Sequence, residues 1–238
     1  MAKKKAKYYY DKKAAKHAVD FIQKLCTHVK GEEAGMPLML EKWQRDIIEK
    51  LFGWKRKDGT RKYRKLWLEI PRKNGKTSLS AAIGLYMLFG DDEPGAEVYF
   101  AAASKDQAKI GFEIAVQMTQ QNKVLTKYAQ VFKNSITKRD SGSSFKALSA
   151  EAYTKHGLNA SCILLDEIHA QPDRELFDVL TTSMGSRRQP LTICITTAGI
   201  HKKGNFGWEM HREMKEVADG VTIDESTLAP FAADIIKW

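Results

Sequence analysis

The residues best suited to chemistry lie at positions 66–77, where a short apolar run leads into Pro-Arg-Lys-Asn-Gly-Lys-Thr. A helix-like segment follows at residues 78–88. The order strand, tight loop, helix presents backbone N–H groups and a helix N-terminus to a polyphosphate. We therefore predict that Lys76 reaches the β- and γ-phosphates of ATP and that the hydroxyl of Thr77 binds Mg²⁺.

The loop departs from the usual G-x-x-x-x-G-K-[ST] pattern, because Ile70 stands at the position of the first glycine. The alternative interpretation is a turn in which Gly75 only connects a strand to a helix. Arg72 is also predicted to touch the γ-phosphate within its own subunit, as a catalytic residue. The predicted nucleotide-binding residues of the loop are Arg72, Lys73, Asn74, Gly75, Lys76, Thr77 and Ser78.

A pair of acids follows a second apolar run. Residues 162–165 are continuously apolar, which is typical of a strand in the middle of a parallel sheet, and Asp166 and Glu167 come next. Asp166 is predicted to hold Mg²⁺ through water, and Glu167 to activate the attacking water as general base. His169 is a candidate for supporting this pair. The alternative is a strand end with two solvated acids.

Two further positions are candidates because of where they stand. Gln44 lies shortly before the phosphate-loop strand, and its amide offers one donor and one acceptor to the edge of adenine. Thr196 and Thr197 end another apolar run, so their hydroxyls are predicted to sense the γ-phosphate and relay its state to a DNA-gripping element. The alternative for these threonines is a plain strand terminus before a glycine turn.

Three arginines are candidates for a residue that reaches into a neighbouring subunit's site and stabilises transferred phosphate charge. They are Arg139, Arg187 and Arg188. The alternative for each of them, and for Arg72, is an ordinary surface arginine.

The elements that must position these residues follow from periodicity. Strand-like runs at residues 66–70, 97–103, 162–165 and 191–197 alternate with helix-like segments. This alternation predicts an α/β fold with a mainly parallel central sheet and helices on both faces. Ligands of such sheets bind at the carboxyl ends of the strands, where all the candidate motifs fall. The layout is that of a P-loop NTPase of the ASCE type, which has an added central strand and a catalytic glutamate.

Charge divides the chain into two predicted parts. The net charge is +10 over 238 residues, and residues 1–16 hold seven lysines and one acid. We predict a basic, disordered arm over residues 1–16 and an ATPase domain over residues 17–238. A second basic stretch, residues 55–65, has a loop tip at Asp58-Gly59. Both basic segments suit contacts with nucleic-acid phosphates, and a solvated surface is the alternative.

The cysteines and the apolar runs argue against a cysteine-bound metal site and a membrane-spanning segment. The three cysteines have no metal-ligand spacing, and we interpret them as reduced core residues of a cytosolic protein. No apolar run approaches the roughly 20 residues that span a bilayer, so no membrane partner is predicted.

Together these motifs resemble the ATPase domain of the large terminase subunit of tailed bacteriophages. The resemblance rests on residues 37–44, on the loop at 70–77, on residues 146–151 with 156–158, and on residues 165–167. A phosphate loop that lacks its first glycine is fairly specific to that family. The resemblance runs from about residue 15 to the end of the sequence.

The resemblance implies a motor that hydrolyses ATP, with Mg²⁺, to push double-stranded DNA into a procapsid. It implies a homo-oligomeric ring, expected to be a pentamer, with a monomer as the alternative for the isolated chain. It further implies a portal protein and a small terminase subunit as partners, and action in the host cell cytoplasm. Large terminases also carry a C-terminal nuclease domain, which we expect to be absent from this chain, so no DNA cleavage is predicted.

Two other functions remain open from the sequence. A helicase-like or restriction-type DNA translocase shares the glutamine, phosphate-loop and Asp-Glu motifs, but it needs a second motor lobe. A basic DNA-binding assembly protein with an inactive nucleotide site would bind DNA without hydrolysing ATP.

Overall fold

The computed structural model describes residues 6–149, 157–197 and 203–229. Its strands are β1 (Tyr8–Tyr10), β2 (Trp54–Arg56), β3 (Lys65–Ile70), β4 (Glu97–Ala102), β5 (Ala129–Phe132), β6 (Ser135–Lys138), β7 (Ser144–Ser149), β8 (Cys162–Leu165), β9 (Leu191–Thr197) and β10 (Thr227–Leu228). Its helices are α1 (Lys12–Leu25), α2 (Lys42–Gly53), α3 (Lys76–Phe89), α4 (Lys105–Gln121), α5 (Lys123–Tyr128), α6 (Glu175–Thr182) and α7 (Phe206–Ala218), with a 3-10 turn at Ile168–Ala170.

The central sheet is mainly parallel. Its strand order is β10-β3-β9-β8-β4-β7-β6-β5, and only the β7–β6 and β6–β5 pairings are antiparallel. Strand β9 lies between β3, which precedes the phosphate loop, and β8, which precedes the two acids. This is the added central strand expected for the predicted class. The fold class is therefore confirmed, and the motif-bearing ends of β3, β9 and β8 share one edge.

Helices cover both faces of the sheet because side chains of a buried strand alternate between its two sides. Leu66 and Leu68 of β3 pack in one apolar cluster with residues of α1, α2, α3 and α4. Trp67, between them, packs in the other cluster with residues of α6 and α7. The phosphate-loop strand is thus buried on both sides and held rigidly beneath the loop.

Two glycines let helices approach the sheet closely. A Cβ added at Gly84 in α3 would lie 2.7 Å from a methyl carbon of Leu164 and 2.7 Å from the ring of Phe145. A Cβ added at Gly111 in α4 would overlap the ring of Phe100. Helices α3 and α4 are therefore seated directly on the strands. Their N-terminal turns are fixed at the sheet edge where the candidate residues gather.

The prediction of a disordered arm over residues 1–16 is wrong for residues 8–16. Strand β1 pairs with β2, and Asp11 caps α1 by accepting from the backbone N–H groups of Lys13 and Ala14. Lys62 lies over the ring of Tyr8, with its Nζ 4.9 Å from the ring centroid. Such contacts join segments some fifty residues apart, so the local lysine content did not reveal them. Residues 1–5 lie outside the described residues.

Other boundaries needed smaller corrections. The Asp58-Gly59 tip is a turn as predicted, and the N–H of Gly59 donates to the carbonyl of Arg56 at 3.0 Å. Pro172 predicts the start of a helix of roughly ten residues, and in the structure that helix begins at Glu175. The sequence from 228 to 236 predicts a last strand; the structure has a strand at Thr227–Leu228, and residues 230–238 lie outside the described part.

The cysteines are core residues, as predicted. All three are free and fully buried, and burial raises the pKa of each thiol. Within the described ranges no helix is both long and apolar enough to cross a bilayer.

Candidate functional site

The phosphate loop obtains its shape from residues after Ile70. Ile70 is the last residue of β3 and is fully buried, so no glycine is needed there. The left-handed backbone conformation instead occurs at Lys73 (φ 68°) and Gly75 (φ 67°). The side-chain amide of Asn74 donates to the carbonyls of Pro71 and Arg72, each at 3.2 Å. The loop is thus braced internally at the N-terminus of α3, where backbone N–H groups favour an anion.

Lys76 joins the loop to the central strand. Its Nζ donates to the carbonyls of Ile70 and Pro71, each at 3.2 Å, and to Oγ1 of Thr197 at 2.9 Å. The residue is only 7% exposed, and burial lowers the pKa of Lys76 while Glu167 and Asp166 oppose that shift. The ammonium is therefore held in a defined position at the sheet edge, close to both acids.

Asp166 and Thr77 form the candidate metal-binding pair. Thr77 Oγ1 donates to Oδ2 of Asp166 at 3.2 Å, across 89 residues of sequence. The backbone N–H of Asp166 bonds to the carbonyl of Ala101, which holds the acid at the end of the sheet. Hydroxyl and carboxylate oxygens are the hard ligands that Mg²⁺ prefers, so the donor set fits this ion.

The ionisation of Asp166 is strongly affected by its surroundings. Burial, and then the charge of Glu167, raise the pKa of Asp166 to about 6. The backbone N–H of Glu167, the Thr77 hydroxyl and Lys76 oppose this shift. A buried carboxylate beside another acid costs free energy unless a cation compensates, which is the electrostatic condition of a metal site.

Glu167 has an unusual backbone conformation and several hydrogen-bond donors around its carboxylate. It adopts φ 52° and ψ 51°, in the left-handed region that non-glycine residues rarely occupy. Its Oε2 lies 3.4 Å from Oγ1 of Thr197 and 3.2 Å from Nε2 of His169. Nδ1 of His169 lies 3.0 Å from Oγ1 of Thr196. Such strain at a cleft residue is typical of functional sites.

Most of the predicted residues line one cavity of about 500 Å³. Its walls are Arg72, Lys73, Gly75, Lys76, Thr77, Ser78, Gln107, Ile110, Asp166, Glu167 and His169. Gln107 and Ile110 are wall residues that were not predicted from the sequence. The signal was present, because Ser104 caps α4 and thereby places the first turns of that helix at the end of β4.

A smaller cavity of about 250 Å³ adjoins the first one and shares Lys73, Gly75 and Ser78 with it. Gln44 lines this cavity and is 7% exposed. Its Oε1 accepts from the backbone N–H of Glu41 at 3.0 Å, and a Cβ at Gly75 would lie 3.8 Å from its Nε2. The amide is thus fixed beside the phosphate loop, as a residue that reads a nucleotide base must be.

The three arginines predicted to reach a neighbouring subunit's site lie away from the cavity. Arg187 donates to the carbonyls of Gly95 (2.8 Å) and Asn159 (2.7 Å), which precede β4 and β8 at the opposite end of the sheet. Arg188 donates to the carbonyl of Asp58. Arg139 donates to the carbonyl of Ala129. None of the three lines the cavity, and a role in a neighbouring subunit's site stays a prediction that would require release of these contacts.

Substitution of Asp166 by Asn is expected to stabilise the nucleotide-free chain at pH 7–8 by about 1–3 kcal/mol. The folded-state pKa of about 6 exceeds the usual value of 3.8, so the charged form is disfavoured in the folded protein at neutral pH. The cost decreases as the pH falls through 6, and it disappears well below pH 3.8, where the carboxyl is protonated in both states. Urea denaturation of both proteins, without Mg²⁺, should therefore show a gain that shrinks as the pH falls from 7.5 towards 4.

Asp219, which is half exposed and paired with Lys215, provides the control. The Asp219→Asn variant should show a change within about 0.5 kcal/mol across the same range. A gain at Asp166→Asn that persists unchanged at pH 4 would mean that it comes from packing and not from ionisation.

Comparison with known proteins agrees with this geometry. Residues 42–216 match the family model described as terminase large subunit, ATPase domain. The large terminase subunit of Enterobacteria phage HK97 is 32% identical over 184 residues, which is 75% of this chain and 36% of that protein. The crystal structure of the HK97 large terminase superimposes with a TM-score of 0.76 at 27% identity, covering 91% of this chain and 43% of that one.

A more distant structure shows the same fold. The large terminase of a thermophilic bacteriophage, solved in complex with ADP, matches with a TM-score of 0.52 at 11% identity over 73% of this chain and 41% of that one. The chain therefore spans less than half the length of these relatives. With a family model matching residues 42–216 and an HK97 relative covering three quarters of the sequence, the chain belongs to the family of terminase large-subunit ATPase domains.

Proposed function

We propose that this chain is the ATP-hydrolysing motor of a genome-packaging machine that moves double-stranded viral DNA into a procapsid. The observation that carries this proposal is the meeting of Lys76, Thr77, Asp166 and Glu167 in one cavity. A phosphate-binding lysine, a hydroxyl and an acid for the metal, and a second acid for water are the set that phosphoryl transfer to water needs. Family membership supports the coupling of this site to DNA.

The residues divide the work of hydrolysis. Lys76 and the loop N–H groups bind the phosphates, and Gln44 contacts the adenine edge. Thr77 and Asp166 would hold Mg²⁺, which neutralises phosphate charge when bound. Glu167 accepts a hydrogen bond from the attacking water, which orients the water, and then takes its proton. Positioning of the reactants and stabilisation of the transition-state charge supply most of the rate acceleration.

Contacts of Lys76 allow loss of the γ-phosphate to be communicated from the cavity to β9. Lys76 contacts both the phosphate loop and Thr197, and Thr197 and Thr196 end the strand between the two motif strands. A change in the position of Lys76 therefore acts on β9 directly. We propose that Thr196 and Thr197 couple the nucleotide state to the rest of the motor.

The proposed assembly has several partners. They are double-stranded DNA, a portal protein, a small terminase subunit, and further copies of this chain in a ring, which we expect to be a pentamer. The motor would act in the host cell cytoplasm, docked on the procapsid. Arg72 lines its own cavity, while a second arginine from a neighbouring copy would complete the site.

ATP hydrolysis measured over a range of protein concentrations, with and without linear double-stranded DNA, tests this function. A ring completed by neighbouring subunits predicts turnover that rises more steeply than linearly with concentration and increases with DNA. Displacement of a third strand from a DNA triplex would then report movement along the duplex. DNA binding and ATP binding without hydrolysis at any concentration would instead favour an assembly protein with an inactive nucleotide site.

A further inference from the structure

We propose that His169 is a positioning residue that fixes the carboxylate of Glu167 and connects it to Thr196 at the end of β9. The inference rests on the proposed hydrolytic function, because it assigns a task to His169 within the same site. It makes His169 a second link, beside Thr197, between the water-activating acid and the central strand.

The hydrogen-bond directions around Glu167 are mutually consistent. Glu167 Oε2 lies 3.2 Å from Nε2 of His169, which places that nitrogen to donate to the carboxylate when it carries the proton. Nδ1 of a neutral imidazole is then an acceptor, and it lies 3.0 Å from the hydroxyl of Thr196. On the other side Lys76 donates to Thr197, whose hydroxyl lies 3.4 Å from the same carboxylate oxygen. The hydroxyl of Thr197 thus contacts Oε2 of Glu167 directly, and the hydroxyl of Thr196 is connected to the same oxygen through His169.

The imidazole is more firmly enclosed than the acid that it contacts. The side chain of His169 is 12% exposed, whereas that of Glu167 is 30% exposed and lines the cavity. A glutamate side chain that lines a cavity loses rotamer freedom when it is held in one orientation, which costs free energy. A largely enclosed imidazole with a second anchor on β9 holds the carboxylate in one orientation before substrate arrives.

Helix α7 holds the backbone of His169 in place. The side-chain amide of Asn205 donates to the carbonyl of His169 at 3.3 Å. A Cβ added at Gly207 would lie 2.6 Å from Cα of His169, so α7 rests directly on the 3-10 turn. The ring is therefore supported from two elements, α7 through the backbone and β9 through Thr196.

Three substitutions separate the two contacts of the ring. His169→Ala should lower kcat for ATP about tenfold to a hundredfold with little change in ATP affinity, because misplacement of a catalytic group costs rate and not binding. In His169→Gln the amide nitrogen stands where Nε2 stood and should retain most of the rate. In His169→Asn the amide reaches only towards Thr196, and the rate should stay close to that of His169→Ala. Wild-type kcat in His169→Ala, or retention by Asn with loss by Gln, would overturn the proposal.

Two controls test whether the loss of kcat in His169→Ala acts through Glu167. His211 forms a comparable pair with a buried acid, with Nδ1 2.7 Å from Oε2 of Glu69, but it does not line the cavity. His211→Gln should therefore leave kcat within about twofold of wild type. In a Glu167→Gln background, His169→Ala should cause no further loss, since a positioning residue acts only through the group that it positions.

A measurement without turnover separates failure of this proposal from failure of the proposed function. The imidazole ¹⁵N spectrum of the nucleotide-free chain should show His169 as the Nε2–H tautomer, and the His169 signals should shift in Glu167→Ala. That pattern in a chain with no ATP hydrolysis would retain the His169–Glu167 contact and reject the motor. Hydrolysis together with an Nδ1–H tautomer would retain the motor and reject the role of His169.

Discussion

Replacing Glu167 by Gln is expected to leave ATP binding intact and to lower the rate of hydrolysis by about 10²–10⁴-fold. Glutamine has nearly the same shape and still accepts hydrogen bonds from Thr197 and His169, but it cannot take a proton from water. The phosphate-binding groups, Lys76 and the loop N–H groups, are unaffected. The loss should therefore appear in kcat and not in the dissociation constant for ATP.

Single-turnover hydrolysis and equilibrium binding of ATP, measured on the same samples, check this expectation. Glu113→Gln is a suitable control because that glutamate is half exposed on α4 and paired with Lys109. Its turnover should equal that of the wild type. If Glu167→Gln hydrolyses ATP at the wild-type rate, Glu167 is not the general base and another group must activate the water.

Removal of the side chain in Lys76→Ala is expected to weaken ATP binding about tenfold to a hundredfold. The ammonium donates charge-assisted hydrogen bonds, which contribute roughly 1.5–3 kcal/mol each. Without ATP its hydrogen bonds go to two backbone carbonyls and to Thr197, so the charge is available to an incoming phosphate. Burial disfavours this charge in the empty site, whereas Glu167 and Asp166 favour it.

Isothermal titration of ATP and of adenosine distinguishes the two halves of the site. Lys76→Ala should bind adenosine as well as the wild type does, because Gln44 and the smaller cavity are unchanged. Lys109→Ala, which removes an exposed lysine from α4, should leave both affinities unaltered. Unchanged ATP affinity in Lys76→Ala would return the loop to the interpretation of a simple strand-to-helix turn.

The parts of the fold that sequence predicted well are those with local determinants. The strand before Asp166 was predicted with its observed bounds, since a continuous apolar run between polar residues leaves few alternatives. Helix α4 begins directly after Ser104, whose Oγ accepts from the N–H of Gln107. Convergence at the carboxyl ends of the strands followed from the parallel topology, which the alternation of elements predicts.

The parts that sequence could not predict depend on contacts between distant segments. Pairing of β1 with β2, and the contacts of Lys7 and Tyr8 with Glu225, turn a lysine-rich terminus into ordered structure. Likewise, an arginine inside a polar stretch gives no sign that it will bond to loop carbonyls, as Arg187 does. The contact of His169 with Thr196 could not be predicted either, because the two residues are 27 positions apart in the sequence.

The turn that begins after Ile70 has a consequence for recognising remote relatives. Only two of its positions, Lys73 and Gly75, have positive φ, and the first of them tolerates a side chain. A search pattern that insists on glycine at the position of Ile70 would discard this chain, although nothing in the turn needs glycine there. A pattern built on backbone conformation would require an apolar strand residue at 70, an amide brace at 74 and glycine at 75. Distant members of the family should be recoverable from genome sequences by that geometric signature where the conventional motif fails.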